Sequence, residues 1–312
     1  MADEAIREGT LDGFAEDDVL AQTDLLVISL YPQSTIDWLA EHMSKLKPGC
    51  LIVDFVGVKQ CMVDAITPLA KQYGVHYIGG HPMAGKEFSG FAYAEASLFQ
   101  NASMILVQTE SSPLWAVDEV EGFFDQLGFG RVVRCSAEQH DHMIAFTSQL
   151  CHVVSSAYIK SPEALKHNGY SAGSYKDLTR VAKLNEDMWT ELFLLNREPL
   201  VQEIDEIIKH LTDYRDAIRD GETERLRNLL RDGRMIKESI GSPPHQLLKV
   251  SPAFSKAAGS QGRALSRVPQ PVGHYPYSRA VRGLKECDTK SPLDSRCPSR
   301  ESTKTNPKSA VC

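Results

Sequence analysis

Long apolar runs are missing from this chain. No stretch approaches the roughly 18–20 consecutive apolar residues that a membrane helix needs, so a helical membrane-spanning role is excluded. Its seven cysteines lack a pattern: there is no CxxC pair and no zinc spacing among them. A disulfide framework and a structural zinc site are thereby set aside, and reduced thiols in a cytoplasm fit better. The opening residues, MADEAIREGTLDGF, are acidic and polar and do not read as a signal peptide. A G-x-G-x-x-G loop is also lacking, since GTLDGF and GFGRVV fail on spacing and context. Positive charge is scarce over most of the length. From Gly241 onward 12 Lys/Arg face 4 Asp/Glu, a balance of +8, so within the net charge of −7 the first 240 residues carry −15. An acidic body excludes nucleic acid as the main ligand.

What is present is ordinary for a globular protein: 42% hydrophobic and 24% charged residues over 312, enough for two domains. The first half alternates strand and helix patterns. LLVISL (25–30), CLIVDFV (50–56) and VHYIGG (75–80) are short apolar runs, with TIDWLAEHMSKL and MVDAITPLAKQYG between them as helices, the second expected to bend at Pro68. SMILVQ (103–108) and RVVRC (131–135) read as further strands flanking a helix near 113–127. Continuous apolar strands separated by helices predict a parallel sheet covered on both faces. After Cys135 the pattern changes. Ser136 with Gln139 reads as a capping box, and helix follows helix to about residue 240, with apolar residues three and four apart. MIAFTSQLCHVVSSAYI is apolar on more than one face and is expected to be buried. So much apolar helix surface predicts a homodimer core. The tail from Gly241 holds 9 of the 16 prolines and no periodic apolar pattern; it reads as a disordered basic extension without a function of its own.

Ligands of open parallel sheets bind beyond the carboxyl ends of the strands. Three such ends are chemically pointed here: Leu30-Tyr31-Pro32, DFVGVK (54–59), and Gly80-His81-Pro82. A histidine alone at such a place is most often a hydrogen-bonded loop residue. At His81, two preceding glycines admit another backbone or a ligand, and Pro82 stiffens the chain behind. The trio His140-Asp141-His142 looks like a metal cluster. However, residues two apart on a helix face different ways, so no metal is expected.

GGHPMAGKEFSGFAYAEASLFQNASMILV closely resembles the prephenate and arogenate dehydrogenases of tyrosine biosynthesis, whose pattern is G-G-H-P-[IM]-A-G-x-E-x-S-G followed by A-x-x-x-L-F and a strand. EQHDHMIAFTSQLCH is similar to that family's H-D-x-x-x-A-x-x-S-H-L-P-H helix. GSYKDLTRVAKLNEDMWTELFLLN is similar to its G-x-x-x-D-x-T-R-[IV]-A, with M-W and then Asn downstream. The resemblance covers residues 1–240 and none of the tail. It implies a Rossmann-like dinucleotide-binding domain (1–135), an all-α substrate and dimer domain (136–240), and NAD or NADP as cofactor. The implied reaction is oxidative decarboxylation of prephenate to 4-hydroxyphenylpyruvate. Arogenate dehydrogenase, or an inactive piece keeping only the helical dimer domain, are the alternatives.

On this resemblance His81 is the proton acceptor, as suits an imidazole near neutral pH. Arg180 binds a substrate carboxylate, for which a guanidinium fork is suited. His152, Gly173 and Trp189 line the substrate, and Glu87 and Asp177 position Arg180. Leu30, Tyr31, Pro32 and Lys59 would contact the cofactor. The chain departs from the pattern in four places. Gly57 stands for the serine of D-x-G-S-V-K, Gln149 and Cys151 replace the His and Pro of S-H-L-P-H, and Lys86 replaces a frequent threonine. ADEAIREGTLDG matches a family segment that follows the second strand, so a doubly wound sheet lacking its first strand and Gly-rich loop is expected: an N-terminally truncated dehydrogenase.

Overall fold

The computed structural model describes residues 2–85 and 90–241; the expectations for Glu87, Lys86 and the tail fall outside them. Two compact units divide these residues after Glu206.

In the first unit, two short helices, α1 (Ala2–Arg7) and α2 (Asp17–Leu20), precede β1 (Leu25–Ile28), α3 (Pro32–His42), β2 (Leu51–Asp54), α4 (Gln60–Tyr73) and β3 (His76–Pro82). β4 (Ser103–Gln108), α5 (Leu114–Gln126) and β5 (Arg131–Cys135) follow. The strands form one sheet in the order β1-β2-β3-β4-β5. β2 is buried at all four positions, which is why CLIV is apolar on both faces. Ile52 and Tyr77 face α3 and α4, where Leu39, Met43, Met62 and Ile66 close one core. Val53 and Ile78 face α5 and pack on Val117, Val120 and Phe124 in the other. The sheet is therefore covered on both faces. Pro68 lies on the exposed side of α4, and the helix runs on through it from Gln60 to Tyr73.

The expected parallel sheet is present, with one antiparallel pairing in it. β1, β2 and β3 are parallel, and so are β4 and β5, but β4 runs antiparallel to β3, pairing His81 with Ile105 and Pro82 with Met104. A parallel return requires a crossover helix of a dozen residues or so. Among the described residues between β3 and β4 only the single turn Phe91–Tyr93 is helical, so the chain comes straight back.

The helical layer begins with α6 (Ala137–Ile144), whose start is the expected capping box: Gln139 N–H donates to Ser136 Oγ and Ser136 N–H to Gln139 Oε1, both at 3.1 Å. α6 passes without a break through a π-helical turn (Ala145–Gln149) into α7 (Leu150–Tyr158). The buried pairs along it are 140/141, 144/145 and 149/150, so the spacing lengthens from four to five at the π turn. That insertion makes the segment look apolar on several faces. It is not buried throughout: Met143, Phe146 and Tyr158 are exposed. α8 (Gly173–Thr179) and α9 (Glu186–Leu195) complete the layer. The apolar run continuing from α9 into α10 (Arg197–Arg219) is interrupted at Asn196, whose side chain is buried. The second unit takes in the later part of α10 and α11 (Thr223–Gly241), held by Tyr214 Oη donating to Leu229 O at 3.0 Å.

Candidate active site

The end of β2 is tied to the start of α4 by a buried ion pair. Asp54 and Lys59 are both fully buried, with Lys59 Nζ 2.6 Å from Asp54 Oδ2. The ammonium also donates to Val56 O (2.5 Å) and Val58 O (3.2 Å), so its three N–H groups are satisfied internally. Asp54 accepts further from Val56 N–H (2.9 Å), Tyr77 Oη (2.7 Å) and Gly80 N–H (3.4 Å). Buried charges persist when every polar atom is partnered in this way. The expected cofactor contact from Lys59 does not arise from its side chain, which is spent inside this knot.

The same knot explains the two glycines. A Cβ on Gly80 would lie 2.5 Å from Asp54 O and 2.7 Å from Val53 Cγ1, and one on Gly79 would lie 2.9 Å from Lys59 Cδ. Space is needed there for the neighbouring strand and the lysine stem, rather than for a ligand as the sequence alone suggested.

His81, near the end of β3, projects toward α6. Its Nδ1 lies 2.8 Å from His140 Nε2, and His140 Nδ1 lies 2.7 Å from Asp141 Oδ1. Asp141 in turn accepts the backbone N–H of Lys59 (2.8 Å) and Gln60 (2.9 Å) at the start of α4. Burial, then the Lys59 ammonium, then His140 hold His81 well below the ordinary histidine value. Burial also lowers His140, against the pull of Asp141. Both rings are therefore neutral at pH 7. On its far side His81 faces Gly57: a Cβ there would stand 3.9 Å from His81 Nε2 and 3.7 Å from Leu192 Cδ2. His142, the third member of the suspected metal trio, turns away and bonds Glu138 O through Nδ1 at 2.9 Å.

α9 joins the helical layer to the strand ends. Glu191 Oε1 accepts Gln33 N–H (3.0 Å) at the start of α3, and Leu192 O accepts Gln149 Nε2 (3.3 Å). Asn196 Nδ2 donates to Asp141 O (2.9 Å) and Gln149 Oε1 (2.8 Å). Gln149, standing where the resemblance expects histidine, thus serves this buried lattice. Nothing in composition or periodicity marked His140, Asp141 or Asn196 as partners of the site; their place in the quoted motifs was the one available signal.

The substrate-side residues are brought together in part. His152 stacks on Trp189 with ring centroids 3.8 Å apart and 29° between planes, and its Nδ1 lies 2.9 Å from Ser148 O. Arg180, at the C-terminus of α8, is close enough for its charge to add to the burial that lowers His152. Gly173 and Asp177 are exposed on α8. Leu30 packs against the first core, Tyr31 is exposed, and Pro32 is buried as the first residue of α3.

The strand ends are in register: Ile28 pairs with Asp54, and Asp54 with Gly79. His81 lies two residues beyond that line on β3, and Leu30 two residues beyond it, just past the end of β1. The N-terminus of α3, just beyond Leu30, has no cap from its own N-cap residue, and the Glu191 carboxylate takes one of its N–H groups.

This is a helix-covered sheet with a neutral, hydrogen-bonded histidine at its carboxyl edge. Two family models cover most of the chain: prephenate dehydrogenase, nucleotide-binding domain, over residues 1–133, and prephenate dehydrogenase, dimerization domain, over residues 136–232. The chain belongs to the prephenate dehydrogenase family. The prephenate dehydrogenase of Lactococcus lactis subsp. cremoris is 28% identical over 227 residues, 70% of this chain and 61% of that protein. The cyclohexadienyl dehydrogenase of Zymomonas mobilis is 32% identical over 209 residues, 64% of this chain and 70% of that one. A prephenate dehydrogenase from Aquifex aeolicus, solved with hydroxyphenyl propionate and NAD+, superposes with a TM-score of 0.66 at 26% identity, over 77% of this chain and 85% of that one.

Proposed function

We propose that this chain oxidises prephenate to 4-hydroxyphenylpyruvate with NAD+ or NADP+, a step in tyrosine synthesis. The observation that carries the reading is His81: neutral, held through Nδ1, and placed near the carboxyl end of β3 with Nε2 toward Gly57, which has no side chain. His81 takes the proton of the ring hydroxyl as hydride leaves the carbon bearing it. The ring carboxylate then departs as CO2, its bonding electrons aromatise the ring, and the phenolate oxygen recovers the proton from His81. The nicotinamide, when bound, supplies the hydride acceptor; Leu30, Tyr31 and Pro32 border its place.

Arg180 binds a substrate carboxylate, with Asp177 one turn earlier on its helix, while the stacked His152–Trp189 pair and Gly173 line the ring's pocket. The domain division follows the matched ranges, with residues 1–135 for the nucleotide and 136–240 for substrate and a homodimer contact. Exposed Met143, Phe146, Leu194 and Val201 on the helical layer support that contact. No described helix is long and apolar enough to cross a membrane, and the unpatterned cysteines suit a cytoplasmic enzyme.

Reduction of NAD+ and NADP+ is measured with prephenate and with arogenate, which carries an amine for the keto group. The measurement uses this chain and also a version extended at its N-terminus with the matching residues of the Lactococcus lactis relative. Turnover of prephenate is expected; turnover of neither acid by either protein overturns the reading. Arg180→Gln is expected to raise KM about tenfold or more with a smaller change in kcat.

A further inference from the structure

We propose that Asp141 and His140 are positioning residues that set the tautomer of His81, leaving Nε2 as its bare, proton-accepting nitrogen. The inference deepens the reading of His81 as proton acceptor and rests on it.

The direction of each hydrogen bond follows from its fixed end. Asp141 is clamped by two backbone donors, Lys59 N–H on Oδ1 and Gln60 N–H on Oδ2. These belong to the first turn of α4, where N–H groups have no partner within the helix. A carboxylate so held is an acceptor only, so His140 Nδ1, 2.7 Å away, carries a proton. His140 is buried and neutral, and its Nε2 is therefore a lone pair. His81 Nδ1 lies 2.8 Å from that lone pair and must donate to it. The single proton of neutral His81 is thus on Nδ1, and Nε2 is unprotonated. The same nitrogen faces Gly57, which presents no side chain of its own to it.

The support reaches further out. The capping box of Ser136 and Gln139 fixes the first turn of α6 directly before His140, and Asn196 Nδ2 holds the carbonyl of Asp141. Lys59 does not compete for Asp141 through its ammonium, which stays on Asp54. Reversing the His81–His140 bond would require an imidazolium at His140, donating from both nitrogens, which its burial disfavours. A second imidazole that fixes which nitrogen of the first is protonated acts through orientation and tautomer, not by touching substrate.

The test reads the tautomer directly. The full chain is labelled with ¹⁵N in its histidine rings, and the His81 signals are identified by their loss in His81→Asn. At neutral pH and without substrate, the wild type is expected to show a protonated Nδ1 and a bare Nε2 at His81. His140→Phe removes the acceptor, and His81 should then exchange between tautomers. His140→Gln offers an amide oxygen near the position of Nε2 and should keep the wild-type pattern. In turnover, His140→Phe should lower kcat about tenfold or more with KM within about twofold, and His140→Gln should recover most of it. A protonated Nε2 in the wild type, or an unchanged tautomer in His140→Phe, overturns the proposal. Because the ring signals need no substrate, the expected tautomer in a protein that turns over neither acid would sink the functional reading and leave this one standing.

Discussion

The proton-accepting role proposed for His81 requires a neutral ring, and its surroundings keep it so. Burial is the first cause, and the ammonium of Lys59 and the neighbouring His140 add to it. Since the folded value lies below 6.5, the acid limb of kcat/KM should fall well below that of a free histidine, with activity lost only as pH drops through it. An acid limb at or above 6.5 in the pH profile would count against His81 as the base. His81→Asn should cut kcat by a factor on the order of a hundred or more and leave KM nearly unchanged. Gly57 gives a finer probe. Its Cα faces Nε2 with room for one small side chain at ordinary contact distance. Serine there would donate to the bare nitrogen and lower the His81 pKa further, while alanine would fill the same space and leave the titration alone; NMR titration of the ring separates the two.

The elements that carry the site were largely legible. β2, α5 and the capping box of α6 lie where periodicity and cap chemistry put them, because those signals are local. Strand direction is not local, and the apolar run of β4 carries no mark of its antiparallel pairing with β3. The meaning of Gly79, Gly80 and Lys59 was hidden for the same reason. A glycine beside a histidine reads as space for a ligand, yet here the space is filled by Asp54 O and the Lys59 stem. The knot they form predicts sharp costs. Lys59→Met strands the Asp54 carboxylate without its counter-charge and should destabilise by about 3–5 kcal/mol. Gly80→Ala drives a methyl into the backbone of β2 and should cost about 1–3 kcal/mol or more. Chemical denaturation measures both, and a loss under ~0.5 kcal/mol for Lys59→Met would show that the ion pair is not the tie described.

For the whole molecule, the acidic body and the exposed apolar residues of the helical layer point to self-association rather than to a polyanion partner. Sedimentation should give a dimer mass, and Phe146→Asp should shift it toward monomer at equal concentration; an unchanged mass would place the contact elsewhere. Global stability should also respond to pH through the two buried rings. His81 and His140 both titrate lower folded than unfolded. Their contribution is therefore full above about pH 6.5 and is lost as pH falls from there toward their folded values. Melting temperature against pH should show that decline.

The π turn at 145–149 has a rotational consequence. Each residue of an α-helix advances the chain by about 100°, so one inserted residue dials everything after it around by more than a quarter turn. Upstream of the dial sit His140 and Asp141, aimed at the His81 ring; downstream sits His152, aimed at Trp189. One continuous rod can serve both only because it is re-aimed halfway along. Deleting Thr147 would undo the rotation without removing a single group named in the chemistry, and the two halves of the site would then point past each other.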